Sequence, residues 1–278
     1  MSVEIKAYAK INLVLNVIAK REDGFHEVDF LMTNVNIFDT VNLSIADSDE
    51  VVCKKAPFIA KEKNLAYKAW LLMKEKYNLP GAIKIDIDKV IPVSAGMAGG
   101  SADCAATIKG INQLFKLNLT YKQMALIGAE LGSDVPFCIY SHLSRAKGRG
   151  EEITLIDKKL PITYMVIINP GVGLSTPKVF KNHVIEKSMT NVDDAIEKIQ
   201  DFTSLCNYVT NDLEKTAMKL EPKIGEIKNY ISDKFDNKML VSGSGPTVIV
   251  FCETKKNMFD VYNYGRERYR NIHYTEMR

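Results

Sequence analysis

Several groups of residues in this 278-residue chain have the types and spacing to act on a phosphate. The densest is Ile91-Pro92-Val93-Ser94-Ala95-Gly96-Met97-Ala98-Gly99-Gly100-Ser101-Ala102-Asp103-Cys104-Ala105-Ala106, where small residues leave almost nothing between the backbone and a docked ligand. Several N–H groups of such a loop can face one anion. Ser101 is placed to cap the helix that follows, expected from Ala102 to about Leu114, and the unpaired amides and positive dipole end of that helix address the same spot. Glycines beside a helix can also serve close packing alone, but this cluster is denser than packing requires. It has neither the Lys-Ser/Thr pair of a Walker-type loop nor the spacing of a dinucleotide fingerprint, so a third kind of phosphate loop is needed.

Phosphoryl transfer also needs an acceptor hydroxyl placed in line and a carboxylate near it. Asp134, in Leu131-Gly132-Ser133-Asp134-Val135-Pro136, is a candidate proton acceptor, and Lys10, in Ala7-Tyr8-Ala9-Lys10-Ile11-Asn12, a candidate for steadying the developing negative charge. Taken singly, an Asp before Val-Pro is a common turn former and a Lys in an alternating strand commonly faces water. Their occurrence together with the glycine loop is what argues for catalysis. His26 follows Phe25, and a neutral imidazole beside an aromatic face suits the edge and the plane of a pyrimidine, although a lone His is more often structural.

The elements that must position these groups follow from hydrophobic periodicity. Tyr8 to Ile18, Val28 to Val35, Val41 to Ile45 and Ile83 to Ile87 alternate as strands, whereas Asn64 to Tyr77 has helical spacing with Asn64 as a plausible cap. Helices are expected from Ser101 to Phe115 and Thr120 to Leu131, then a turn over Gly132 to Pro136 and a weak strand pair from Ser144 to Leu155. Tyr164 to Asn169 restarts as a buried strand after Leu160-Pro161, which predicts two domains, 1–159 and 160–278. Helices are expected between Pro177 and Tyr230. A second small-residue loop, Val241-Ser242-Gly243-Ser244-Gly245-Pro246-Thr247, joins two short strands. Strands and helices alternate without strict βαβ periodicity, an α+β pattern.

A net charge of +3 is too mild for a nucleic-acid binder, which would show a basic stripe, and suits a polyanionic small molecule equally well. No apolar run approaches the length of a membrane span, and the opening residues carry no signal-peptide core, so the expected compartment is the cytoplasm. The five cysteines are scattered without close pairs, which indicates neither a zinc cluster nor a disulfide framework. Whether the chain is a monomer or a homodimer stays open.

The glycine loop resembles the phosphate-binding motif of the superfamily that includes galactokinase, homoserine kinase, mevalonate kinase and phosphomevalonate kinase, with Met97 in a Leu slot. Ala9-Lys10-Ile11-Asn12-Leu13, Arg21-x-Asp23-Gly24-Phe25-His26, Leu131 to Pro136, Gly148-x-Gly150-Glu151 and Ser242 to Pro246 are similar, in order, to the branch that acts on a cytidine-diphosphate-linked methylerythritol. The match runs from about residue 5 to residue 252. It implies an ATP-binding α+β domain like the second domain of ribosomal protein S5, a ferredoxin-like second domain, and an active site in the cleft between them. By the same resemblance Asp134 is the base and Lys10 its partner. ATP falls to Pro92, Gly96, Met97, Ala98, Gly99, Gly100, Ser101 and Ala102, with Asn64 near the adenine. The acceptor falls to Asn12, Phe25, His26, Thr176 and Phe180, the two aromatic rings flanking the cytosine. Phe25 stands where the branch commonly has Tyr, so stacking is kept and a hydroxyl is lost. Mg²⁺ is expected with the triphosphate, without a dedicated carboxylate cage. Ser101 is a possible contact for it, and Asp103 is an acidic neighbour without an assigned role. A kinase of the same superfamily acting on another alcohol and a non-catalytic binding protein on the same scaffold are the rival readings.

Overall fold

In the computed structural model, which describes residues 2–278, the chain builds two sheets. The first half runs β1 (Ser2–Lys20), β2 (His26–Ala46), β3 (Glu50–Val52), α1 (Leu65–Tyr77), β4 (Ala82–Asp88), α2 (Gly99–Leu114), α3 (Tyr121–Leu131), α4 (Val135–Tyr140), β5 (Ser144–Lys147) and β6 (Glu152–Leu155). The second half runs β7 (Tyr164–Ile168), α5 (Thr176–Asn182), α6 (Val192–Lys198), α7 (Phe202–Tyr208), β8 (Thr210–Asn211), α8 (Glu214–Leu220), α9 (Lys223–Ser232), β9 (Met239–Val241), β10 (Val248–Cys252), α10 (Lys255–Gly265) and β11 (Ile272–Glu276).

The larger sheet is ordered β3-β4-β2-β1-β8, with β5 paired to β2 and β6 to β5. Its centre is the antiparallel pair β1–β2, longer than the alternation predicts because Val28–Val35 and Val41–Ile45 are two halves of one strand. The first half pairs with β5 and the second with β4. The buried side chains of Ala66, Ala69, Trp70 and Met73 from α1 join those of α2 and the sheet in one core. Asn64 caps α1 through its side-chain oxygen, 2.9 Å from the Ala66 nitrogen, and Thr120 with Gln123 forms a capping box on α3.

The smaller sheet has the antiparallel order β11-β7-β10-β9. Read in chain order this is 4-1-3-2, the ferredoxin-like arrangement of a split βαβ unit. Residues 156–163 separate β6 from β7. Two later segments nevertheless return to the larger sheet: β8 pairs in parallel with β1 at Val14 and Leu15, and Met277 bridges to Val35. No helix is long and apolar enough to cross a membrane among the described residues.

Candidate active site

Lys10 and Asn12 are two residues apart on β1, so both side chains leave the same face of the strand. Register shifts at Tyr8/Lys10 and Asn12/Val14 bracket them, and bulges of this kind re-aim side chains. Lys10 is therefore only 5% exposed, not on a wet face. Its Nζ donates to Asn12 Oδ1 at 2.6 Å and lies 3.8 Å from Asp134 Oδ2. The Asn12 amide nitrogen is buried without a protein partner, a donor free for a ligand.

Asp134 opens α4. The expected turn over Gly132 to Pro136 thus passes into a helix at Val135, with Pro136 in the first turn where its missing N–H costs nothing. The Asp134 side chain makes no capping bond, so its carboxylate faces the cleft rather than its own helix.

One cleft of about 1290 Å³ receives Lys10, Asn12 and Asp134, and also Gly96, Ala98, Gly99, Gly100 and Ser101 of the glycine loop. Ser101 does not cap α2 as expected: the helix starts at Gly99, and the capping position is Ala98 in left-handed backbone (φ 56°, ψ 30°) with no side-chain cap. Ser101 lies in the first turn, on the cleft wall. Met97 is fully buried instead of lining the cleft, and its carbonyl accepts the Lys10 backbone N–H at 3.2 Å, which ties the loop to β1. Ala102 is buried behind the loop, and neither it nor Pro92 reaches the cleft wall. Asn64 lines a separate pocket of about 290 Å³ with Cys53, Ala56, Pro57 and Ile59.

The second half of the chain supplies the opposite wall. Gly96 and the loop after β9 interlock, for Ser242 Oγ donates to the Gly96 carbonyl at 3.1 Å and a Cβ on Gly96 would fall 2.1 Å from the Ser242 carbonyl oxygen. Gly243 approaches so closely that an added Cβ would stand 3.7 Å from Lys10 Nζ. The Thr176 and Ser244 hydroxyls, 2.7 Å apart, join α5 to this loop. Asn211 holds it from below, donating to the Val241 and Gly243 carbonyls at 2.7 Å each.

At the far end His26 lies 5.1 Å from Phe180, ring centre to ring centre, with the planes 40° apart. Burial, helped by the nearby Lys20 charge, holds the imidazole below its ordinary pKa, which favours the neutral ring. Phe25 is half exposed, and the Arg149 guanidinium sits 5.0 Å from its ring centre, anchored by Nε to Glu151 at 3.1 Å. The structure thus brings together Lys10, Asn12, Asp134, most of the glycine loop, Phe25, His26, Thr176 and Phe180.

Some residues of the site escaped the sequence. Arg149 and Ser244 sit inside motifs whose individual members could not be weighed. Asn211, Lys89 and Asp39 had no local signal at all, because their partners are far away in the chain. Lys89 Nζ donates to Asp39 Oδ2 at 2.6 Å and to Asp103 Oδ2 at 2.9 Å, all three side chains being buried. Asp39 Oδ1 accepts from the Val90 and Ile91 amides at 2.5 and 2.8 Å. Burial pushes the Asp103 carboxyl up to about 7 despite the Lys89 ammonium, with Asp39 adding to the rise.

Two family models match the chain, the GHMP kinases N terminal domain over residues 64–142 and the GHMP kinases C terminal over residues 183–271. The 4-diphosphocytidyl-2-C-methyl-D-erythritol kinase of Brevibacillus brevis is 40% identical over 95% of this chain and 92% of its own length. That of Shouchella clausii is 41% identical over 95% and 90%. This chain belongs to the 4-diphosphocytidyl-2-C-methyl-D-erythritol kinase family. A crystal structure of a 4-(cytidine 5'-diphospho)-2C-methyl-D-erythritol kinase superposes with a TM-score of 0.82 at 26% identity, covering 99% of both chains. The homoserine kinase of Cytophaga hutchinsonii, at 18% identity, shares the fold with a TM-score of 0.75 over 100% of this chain and 94% of its own. The α+β kinase architecture expected from the sequence is therefore the one observed.

Proposed function

We propose that this chain transfers the terminal phosphate of ATP to the 2-hydroxyl of 4-diphosphocytidyl-2-C-methyl-D-erythritol, a step towards isoprenoid precursors. The observation that carries the reading is the meeting of Lys10, Asn12 and Asp134 with the α2 N-terminus in one cleft. The amides of residues 96–101 and the α2 dipole hold the donor phosphates. The adenine extends toward the pocket beside Asn64. His26, Phe25 and Phe180 receive the cytosine, Thr176 lies beside it, and the Asn12 amide meets the acceptor end.

Asp134 accepts the proton of the attacking hydroxyl as the oxygen forms its bond to phosphorus and the bond to the ADP oxygen breaks. Lys10 stabilises the oxygen as it loses that proton. No group of three or more His, Cys, Asp or Glu side chains converges on a metal site among the described residues. Ser101, on the wall of the phosphate cradle, is consistent with Mg²⁺ that arrives on the triphosphate and keeps water and phosphate ligands. Bound there, the ion would neutralise charge on the transferring group. We assign 1–159 to the nucleotide-binding unit, which also carries the catalytic pair and Asn12, Phe25 and His26, and 160–278 to the substrate unit that adds Thr176 and Phe180, and place the protein with its charged metabolites in the cytoplasm.

The test is ADP release by the purified protein with ATP and the cytidylated methylerythritol, beside cytidine diphosphate alone. Release with the full acceptor only is expected, and none with active controls overturns the activity. Asp134→Asn should lower kcat by about 10²–10⁴-fold with ATP affinity retained, since a positioned base contributes on that order. Near-normal turnover by that variant would remove Asp134 from the role of base.

A further inference from the structure

The buried Lys89–Asp39–Asp103 cluster touches none of the residues proposed to bind the acceptor, yet it joins every segment that must meet to form the donor cradle. Asp39 comes from the second half of β2, and Lys89 from the end of β4. The Val90 and Ile91 amides that Asp39 also binds lead directly into the glycine loop. Asp103 is the fifth residue of α2, one turn below the amides at the helix start. The cluster is in contact with that start, for a Cβ added to Gly99 would stand 3.0 Å from Lys89 Nζ.

A core serving stability alone would place hydrophobic residues here, because desolvating three ionic groups roughly cancels their mutual attraction. The balance is also uneven. Two carboxylates share one ammonium, and Asp103 Oδ1 is buried with no partner. What the arrangement supplies is direction: a carboxylate and an ammonium at 2.6–2.9 Å tolerate little displacement.

We infer that Asp103 is a positioning residue for the donor phosphates: through Lys89 and Asp39 it sets the first turn of α2 relative to the loop from Ile91 to Ala98, and so aims the amides that cradle the triphosphate. It acts through Lys89 and the helix backbone. The inference rests on ATP being the donor, as in the reading above.

Isothermal titration of the purified full chain with ATP and, separately, with cytidine diphosphate tests it without requiring turnover, and steady-state kinetics adds the split between KM and kcat. Asp103→Ala removes the acceptor that ties Lys89 to α2, leaving Lys89 bound to Asp39 alone, and should raise the Kd and KM for ATP about ten-fold, as small misplacements of binding groups do, with kcat and cytidine diphosphate affinity within about two-fold. Asp103→Asn keeps an oxygen for Lys89 and should restore ATP affinity to within about three-fold of the parent. If Asp103→Ala does not fold, Lys89→Arg, which keeps the charge and displaces the donors, should give the same selective loss for ATP. Unchanged ATP affinity in Asp103→Ala, or equal losses for both ligands, overturns the inference. So does tighter ATP binding by both Asp103 variants, which would mean that charge, not direction, is what the carboxylate supplies. Failure of the parent to bind ATP would instead overturn the donor assignment.

Discussion

Lys10 illustrates how little a residue's type says before its surroundings are known. An ammonium in a strand is ordinarily a solvated edge group, but between two register shifts of β1 this one turns into the cleft, where Asn12 Oδ1 accepts a hydrogen bond from it and Asp134 stands opposite. In the proposed mechanism Lys10 and Asp134 act on the same proton and oxygen, so their losses should be far from additive. Lys10→Met with Asp134→Asn is expected to be hardly slower than Asp134→Asn alone, as a double-mutant comparison of kcat would show. His26 gives a separate pH signature. Its pKa is lowered below 6.5, chiefly by desolvation, so the folded protein resists charging the ring while the unfolded chain does not. Its contribution to stability is present above the unfolded pKa and is lost as pH falls below about 6.5. Cytidine diphosphate affinity should weaken over the same interval. His26→Gln should flatten that dependence, read by titration at several pH values.

The helices and loops around the cleft are held by contacts that span the chain. Gly96 has a positive φ of 74° and no room for a side chain against the Ser242 carbonyl, so Gly96→Ala strains the backbone and forces the two small-residue loops apart. A cost of about 2–4 kcal/mol combines the left-handed penalty with overpacking. A lowered Tm together with a raised KM for ATP is the expected result. Thr176→Val removes the hydroxyl contact to Ser244 while keeping the shape of the side chain. With α5 less firmly joined to the loop, acceptor KM should rise by about 3–10-fold, the worth of one hydrogen bond, with ATP KM little changed. α2, in contrast, has no side-chain cap at Ala98, and its fifth residue, Asp103, is held from beneath by Lys89.

Across the whole molecule, the cleft is made by two sheets that are not independent. Asp212, just after β8, accepts from the Val17 amide at 2.9 Å and the Ser188 hydroxyl at 2.6 Å, and the Arg278 amide reaches the Asn34 carbonyl at 3.0 Å. The first and last of these ties carry the second half of the chain onto β1, the strand that holds Lys10, and onto its partner β2. Ligands that bridge the cleft should therefore stabilise the folded chain as one unit. At a concentration of 100 times Kd each contributes about 2.7 kcal/mol. A thermal-shift series should show a rise with cytidine diphosphate and a further rise when an ATP analogue is added, whereas mevalonate and galactose should leave Tm unchanged.

Periodicity and turn chemistry were enough to place α1, α3, both small-residue loops and the buried strand β7, since these depend on neighbours in the chain: Asn64 before α1, Thr120 before α3, Leu160-Pro161 before β7. Residue order also pointed to Lys10, His26 and Asp134 as members of one site. Local rules failed where distant partners intervene. Ser101 looked like a cap because serine commonly is one, but Ala98 in left-handed backbone begins the helix earlier, with Lys89 and Asp103 locking its first turn. Met97 and Ala102 shared a motif with the glycines and yet point inward, because a loop between strand and helix must also close the core beneath it. Asp39 and Asn211 were silent in the sequence, and Ser244 showed only as one small residue of a loop motif. Their roles come from hydrogen bonds to residues tens of positions away, and only the folded chain brings those partners within 3 Å.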